Sequence, residues 1–230
     1  MSDNEALLHA LNEQIIACRK CPRLVEYRER VAKEKRRAFR EQLYWGKPVP
    51  GFGDAHAKLL ILGLAPASHG GNRTGRVFTG DRSGDFLFAA LYQAGFANQP
   101  TSVHRDDGLR LTDAYVAAAA RCAPPDNKPL PTEILNCRSY LVRELEILRP
   151  KAVLALGRIA WDAYLFLLKQ QGSIPSRAGF PFAHGAEVNL PNGVRLFGVY
   201  HPSQQNTQTG RVTPAMYAKA LRRIRRFLAS

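Results

Sequence analysis

Four stretches hold the residues able to do chemistry. "GLAPASHGGNRTGRVFTGDRSG" (63–84) closes an apolar run. "RCAPPDNKP" (121–129) and "HPSQQNTQTGR" (201–211) are polar loops of the same kind, and "CRKC" (18–21) opens a basic segment. The first loop lacks G-x-G-x-x-G spacing and the Gly-Lys-Ser/Thr ending of a phosphate-binding loop, so neither nucleotide motif applies. Pro66 stiffens its turn, Gly70 and Gly71 bring backbone amides close to a ligand, and Asn72, Arg73 and Thr74 add polar side chains. Phe78 adds one flat face. That combination suits a pocket for a planar polar ring, with Ala65 standing where a catalytic acid would be expected. His201 precedes Pro202 and a Ser, Gln, Asn and Thr run. Its chemical use is to donate to an oxygen that gains charge as a leaving group departs.

The four cysteines form two groups. Cys18 and Cys21 make C-x2-C, while Cys122 and Cys137 flank fourteen residues. Cys122 ends an expected strand before "APPDNKPLP", and Cys137 lies inside the following helix. Thiolates at a helix junction, a strand end and a helix can converge on one metal centre. Disulfides fit a basic cytoplasmic protein poorly. Four thiolates suit zinc or an iron–sulfur cluster, and spacing leaves both open.

These loops need a scaffold. "AKLLILGL", "LTDAYVAAAARC", "PKAVLALG" and "GVRLFGVYHPS" read as strands. "SDNEALLHALNEQIIAC", "SGDFLFAALYQAGF", "PTEILNCRSYLVRELEIL", a segment through Trp161 and Phe166, and "TPAMYAKALRRIRRFL" read as helices. A charged helix is expected from "RKCP" to about Tyr44. Alternating strands and helices predict an α/β fold with a mostly parallel sheet. The loops after Leu64, Arg121, Gly157 and Tyr200 then gather at the strands' carboxyl edge, where such folds bind ligands. At 230 residues and 45% hydrophobic content, one domain over residues 1–230 is expected.

Net charge is +14, and ten Lys or Arg stand against three Glu between Arg19 and Arg40. The final helix carries Lys219, Arg222, Arg223, Arg225 and Arg226. Two basic blocks with no acidic counterpart favour a polyanion such as nucleic acid. No apolar run approaches the roughly 20 residues that span a bilayer. "MSDNEALLHALNEQ" is unlike a signal or transit peptide. A cytoplasmic, nucleoid-associated monomer without a membrane partner is expected.

On the three loop motifs and the cysteine arrangement, the sequence resembles uracil-DNA glycosylases, specifically the UDGb type, family five of that superfamily, across most of the chain. The resemblance implies an α/β/α sandwich with a four-stranded parallel sheet. It implies a structural [4Fe-4S] cluster on Cys18, Cys21, Cys122 and Cys137. It also implies a substrate of double-stranded DNA holding a deaminated base, with single-stranded DNA as a further partner. Phe78 matches the aromatic that stacks on a flipped base. His201 matches the histidine that stabilises the departing base. Ala65, Pro66, Gly71 and Asn127 are expected at the base pocket. Relatives often place Asp or Glu near the positions of Leu64 and Ala65, and this chain has neither. Asn72 is therefore the first candidate to position the attacking water, with Asp81 as a charged alternative. Strict uracil readers carry an Asn where Ala117, Ala118 and Ala119 stand here, which predicts wider acceptance, including hypoxanthine and xanthine. No lysine nucleophile stands in the motif loops, so a monofunctional hydrolase is expected. The rival reading is a zinc- or cluster-containing nucleic-acid-binding protein without catalysis.

Overall fold

The computed structural model describes residues 2–229. Helix α1 (Asp3–Ile16) begins at a capping box: the Ser2 hydroxyl accepts from the Glu5 amide, and the Glu5 carboxylate accepts from the Ser2 amide. Helix α2 (Pro22–Glu34) starts with Pro22 in its first turn. After them come β1 (Phe52–Gly53), β2 (Leu59–Gly63), α3 (Gly71–Thr74), α4 (Arg82–Gln93) and β3 (Ala114–Ala118). The chain continues through α5 (Pro131–Leu148), β4 (Ala152–Leu156), α6 (Arg158–Gln170), β5 (Ala186–Asn189), β6 (Arg195–Val199), α7 (Gln204–Gln208) and α8 (Pro214–Ala229).

The sheet runs β1-β3-β2-β4-β6-β5. Its four central strands are parallel and are the four expected from their apolar runs. The sheet has six strands rather than four, because β1 and β5 add antiparallel edges. Both edges lack a continuous apolar run. β1 has two residues, and β5 alternates half-buried with exposed positions, as an edge strand with one covered face does.

Parallel strands buried on both faces need two helical layers. On one face α4 and α8 pack over Leu59, Ile61, Val116, Leu154 and Phe197. On the other, α1, α5 and α6 cover Leu60, Leu62, Tyr115, Val153 and Leu196. This is the expected α/β/α sandwich. Among the described residues no helix is long and apolar enough to cross a membrane.

Helix α2 stops at Glu34, ten residues before Tyr44. Lys35 takes a left-handed φ of 54° at the cap, and a single 3-10 turn, Arg37–Phe39, follows. In a continued helix Arg36 and Arg37 would stand three and four residues from Lys33, a spacing at which like charges repel. Tertiary bonds then fix the chain elsewhere: the Tyr44 hydroxyl pairs with His69 Nδ1 at 3.0 Å, and the Trp45 amide donates to the Arg73 carbonyl.

Below the site, Arg121 and Glu144 form an ion pair with side chains 1% and 0% exposed. Arg121 Nη1 donates to Glu144 Oε1 at 3.0 Å. Burial pushes the Glu144 carboxyl above its ordinary range, and the guanidinium pulls it back. Removing one member strands the other charge. Arg121→Met should therefore cost about 3–5 kcal/mol in urea unfolding, and Arg121→Met with Glu144→Leu should recover much of that loss.

Candidate active site

The loops following β2, β3, β4 and β6 gather at the carboxyl edge of the sheet, as the topology requires. Phe78 stands there with φ 51°, a left-handed conformation uncommon for a side-chain-bearing residue. A Cβ on Gly63, at the end of β2, would lie 2.7 Å from Phe78 Cε2, so only glycine lets the ring rest on the strand end. The Phe78 carbonyl occupies the space a Cβ on Gly84 would need. Two glycines thus fix the ring and its backbone.

The Phe78 ring faces His201, with centroids 5.9 Å apart and planes inclined by 36°. His201 follows β6, its backbone pinned on both sides of the ring-bearing carbon, through Tyr200 before it and through its own carbonyl after it. The Tyr200 amide donates to His184 Nδ1 at 3.2 Å and its carbonyl accepts from the Tyr217 hydroxyl at 2.8 Å. Asn206, in α7, donates to the His201 carbonyl at 2.8 Å. Among the described residues the imidazole itself has no hydrogen-bond partner, so it is available to a ligand. Burial lowers its pKa to about 4. It is therefore neutral near pH 7, one ring nitrogen donating and the other accepting. His201 borders a pocket of about 380 Å³ with Gly157, Arg158, Phe182, Tyr200, Asn206 and Arg211. A larger groove of about 510 Å³, lined mainly by α5 and α6, includes Ala119 but neither Phe78 nor His201.

The polar residues of the β2 loop mostly turn inward. Asn72 is fully buried, and its Nδ2 donates to the Arg28 carbonyl at 3.2 Å, tying α3 to α2. Arg73 braces its own loop, donating to the His69 carbonyl and the Gly80 carbonyl, each at 2.7 Å, and to Gln42. Thr74 donates within the loop. Sequence polarity pointed these three toward a ligand, but a long irregular loop must satisfy its own buried carbonyls first. The Gly70 amide is likewise spent on the Ala67 carbonyl. Gly70 and Gly71 serve close packing instead, Gly70 against the Asp81 carboxylate and Gly71 against Pro66, 3.0 Å from its would-be Cβ.

Ala65 is half-buried beside Pro66, which is buried. Asp81 is partly exposed and caps α4, its Oδ1 accepting from the Gly84 amide at 2.9 Å. Burial raises the pKa of its carboxyl, against the amides of Gly84 and Ser83. Asn127 stands exposed on the turn Pro125–Asn127, with φ 56°.

Arg76 escaped the sequence reading. Its buried guanidinium donates to Thr79, Ser102, the Arg105 carbonyl and Asp107, at 2.7–3.1 Å. Asp107 in turn accepts from the Val103 and Leu109 amides, at 2.7 and 3.0 Å. Burial opposes its charge, but these donors win and hold the carboxyl at about 2. The network locks residues 76–79 to the loop 102–109. An Arg among small residues offers no such signal in sequence.

All four cysteines are free and line one narrow cavity with Leu24, Val25, Arg121 and Asn136. Arg28 Nη1 donates to Cys122 Sγ at 2.9 Å, and Asn136 Nδ2 to Cys21 Sγ at 3.4 Å. Burial pushes the Cys122 thiol up to about 12. The buried Nε atoms of Arg28 and Arg121 have no protein partner. Four soft donors beside two buried cations with spare N–H groups fit an anionic thiolate-bound centre. Among the described residues, no group of three or more His, Cys, Asp or Glu is arranged to hold a metal ion.

Residues 50–225 match the family described as the uracil DNA glycosylase superfamily. The chain belongs to that superfamily. It is 54% identical over 208 residues to a type-5 uracil-DNA glycosylase of Mycobacterium bovis, covering 90% of this chain and 76% of that protein. A type-5 uracil-DNA glycosylase of Thermus thermophilus is 48% identical over 227 residues, covering 97% and 98%. A type-4 uracil-DNA glycosylase of Archaeoglobus fulgidus is more distant, 34% identical over 159 residues, covering 67% and 70%. The match includes β2, the Phe78 loop and His201, and so the facing pair belongs to the superfamily domain.

A folded-state His201 pKa near 4 has two measurable consequences. In an NMR titration its imidazole should remain neutral until the pH approaches 4, well below the roughly 6.5 of a free histidine. Between those values the unfolded chain binds the extra proton, so this residue's contribution to stability falls as pH drops from about 6.5 to 4. A titration midpoint near 6.5 would place the ring in open solvent.

Proposed function

We propose that the protein is a monofunctional uracil-DNA glycosylase that hydrolyses the N-glycosidic bond of uracil and other deaminated bases in DNA. The Phe78 ring, packed on Gly63 and facing a neutral His201 whose imidazole has no hydrogen-bond partner among the described residues, carries this reading. An extruded base stacks on Phe78, an interaction worth roughly 1–3 kcal/mol. His201 then donates one N–H to the base oxygen that gains negative charge as the bond to the sugar breaks. A neutral donor suffices, because the hydrogen bond strengthens as the oxygen becomes anionic.

Positive charge grows on the sugar while the base departs. No carboxylate stands at Leu64 or Ala65 to face it. Of the two groups expected to position water, Asp81 is the better placed: it is partly exposed and uses one oxygen as a cap. Asn72 is sealed in the α2–α3 seam. Water adds to the sugar carbon, its proton leaves through solvent or Asp81, and an abasic site remains. No side-chain amide stands at Ala117, Ala118 or Ala119 to test the base edge. This favours acceptance of hypoxanthine and xanthine beside uracil. Asn127, expected as a polar pocket contact, is exposed on its turn, which favours a contact to DNA at the pocket rim.

Cys18, Cys21, Cys122 and Cys137 would hold a [4Fe-4S] cluster, which supplies cross-linking of α2, the β3 loop and α5 rather than reaction chemistry. The buried Arg28 and Arg121 would offset its negative charge. The partner is double-stranded DNA, with single-stranded DNA as an additional substrate, and the protein acts as a nucleoid-associated monomer.

Excision from a labelled uracil duplex should give strand breaks only after alkali. His201→Ala should lower the rate about 100-fold or more, in the range of losing one preorganised donor. Asp81→Asn should lower it while leaving base binding intact. A wild type that is inert on uracil, hypoxanthine and xanthine would favour a damage-binding role instead.

Protein purified without air should be brown, with a broad visible band lost in Cys122→Ser. A colourless, zinc-bearing preparation would contradict the cluster.

A further inference from the structure

Large apolar side chains are exposed at eight of the described positions, and three of them, Leu135, Ile159 and Phe166, line the groove of about 510 Å³ between α5 and α6. A fourth, Leu130, stands between Pro129 and Pro131 of the same lining. Exposed leucines scattered singly are ordinary, whereas a contiguous apolar groove marks a surface for a partner. Helical spacing builds it. Ile134 and Arg138 lie one turn apart on α5, and Ile159 and Phe166 two turns apart on α6. Both helices connect parallel strands and run from the sheet's carboxyl edge toward its amino edge, so the two stripes lie side by side.

One end of the groove is cationic. The Arg138 and Arg177 guanidinium groups lie 5.9 and 5.6 Å from the Phe166 ring centroid. Among the described residues neither has an ion-pair or hydrogen-bond partner, and Arg138 Nη1 is shielded from solvent as well. A shielded N–H without an acceptor is unfavourable, so Arg138 gains from any acceptor that draws it toward the groove. An arginine beside an aromatic ring keeps its N–H edge free for a carboxylate, which it can bind through two parallel hydrogen bonds. Asp162 is the one acidic side chain of the lining, against these two arginines.

These features select the occupant. A net charge of +14 repels a second copy of the chain and favours an acidic partner. Nucleic acid is held by cations strung along a track with aromatic faces between them. Here both cations meet at one ring, and the rest of the lining is mostly aliphatic.

We propose that the α5–α6 groove docks an acidic segment of a partner protein, an apolar side chain lying between Leu135 and Ile159 and neighbouring carboxylates resting on Arg138 and Arg177. The apolar anchor supplies burial, and the arginine pair selects acidic over neutral sequences. The surface is separate from the Phe78–His201 pair and does not depend on the reaction carried out there.

The test uses the full chain and a fluorescein-labelled nonapeptide that alternates aspartate with leucine, with binding followed by fluorescence anisotropy. Binding should saturate. Arg138→Gln with Arg177→Gln should weaken it about tenfold or more, the loss expected when charge-assisted hydrogen bonds are removed. Ile159→Glu should weaken it at least as much, because it sets a carboxylate where the anchor lies. A peptide with asparagine in place of aspartate should bind about tenfold more weakly to the unaltered protein. Arg222→Gln with Arg226→Gln should leave affinity within about twofold at physiological salt, where distant exposed charges are screened. Every variant should unfold at the wild-type temperature, so the outcome holds whether or not the chain excises uracil. No saturable binding, equal affinity for the asparagine peptide, or equal weakening by the α8 substitutions would overturn the proposal. Oligothymidylate binding lost in Ile159→Glu would give the groove to DNA. A dimer in sedimentation that Ile159→Glu dissolves would give it to a second copy, and either result refutes a peptide partner.

Discussion

The conformation of Phe78 is the constraint on which the site depends. A φ of 51° in a residue with a large side chain costs about 1–3 kcal/mol and persists only where the surroundings leave no alternative. Here the ring rests on Gly63 and the carbonyl fills the space beside Gly84. Arg76 and Thr79 lock the adjacent backbone to Ser102. Relaxing φ would swing the ring off the strand end and break this packing together. The aromatic face therefore exists before any base arrives, and its ordering entropy is already met by folding rather than by binding.

The electrostatic arrangement follows from the same enclosure. The wall that holds Phe78 desolvates His201 and keeps it uncharged. A permanent imidazolium would bind anions before any bond breaks and favour the ground state as much as the transition state. A neutral donor discriminates in favour of the charge that appears during departure. No carboxylate stands at Leu64 or Ala65, and in the proposed function the site accordingly acts on the leaving base more than on the water. Besides Arg76 and Asp107 at the Phe78 loop, the fold buries charge lower down, as the Arg121–Glu144 pair and as Arg28 among the thiols.

The parts legible in the sequence were those governed by local pattern. The four parallel strands are continuous apolar runs, and the helices between them show helical spacing, so the sheet's carboxyl edge followed from topology. Phe78 and His201 were picked out by residue type and loop position, and the structure brings their rings face to face. The four cysteines were picked out by spacing and line one cavity. Other features depend on contacts far apart in the chain. The end of α2 is set by Tyr44 reaching His69, which a run of good helix formers hides. β5 is recognisable only beside β6. Asn72, Arg73 and Thr74 read as ligand groups because polarity does not reveal direction, and burial turned them into supports.

Charge shows the same division between composition and placement. A net charge of +14 predicts affinity for a polyanion but not where it binds. Both basic blocks look alike as strings. One leads into a segment hydrogen-bonded to the Phe78 loop, and the other ends a helix that runs away from it. A duplex whose base enters between Phe78 and His201 must lie across the carboxyl edge, within reach of the first block. The second meets Asp113, Ala94 and Glu187, where a guanidinium already has partners and gains less from phosphate. Helix α8 closes the chain after β6 and carries the second block to the sheet's amino edge, so two equally basic strings end in different surroundings.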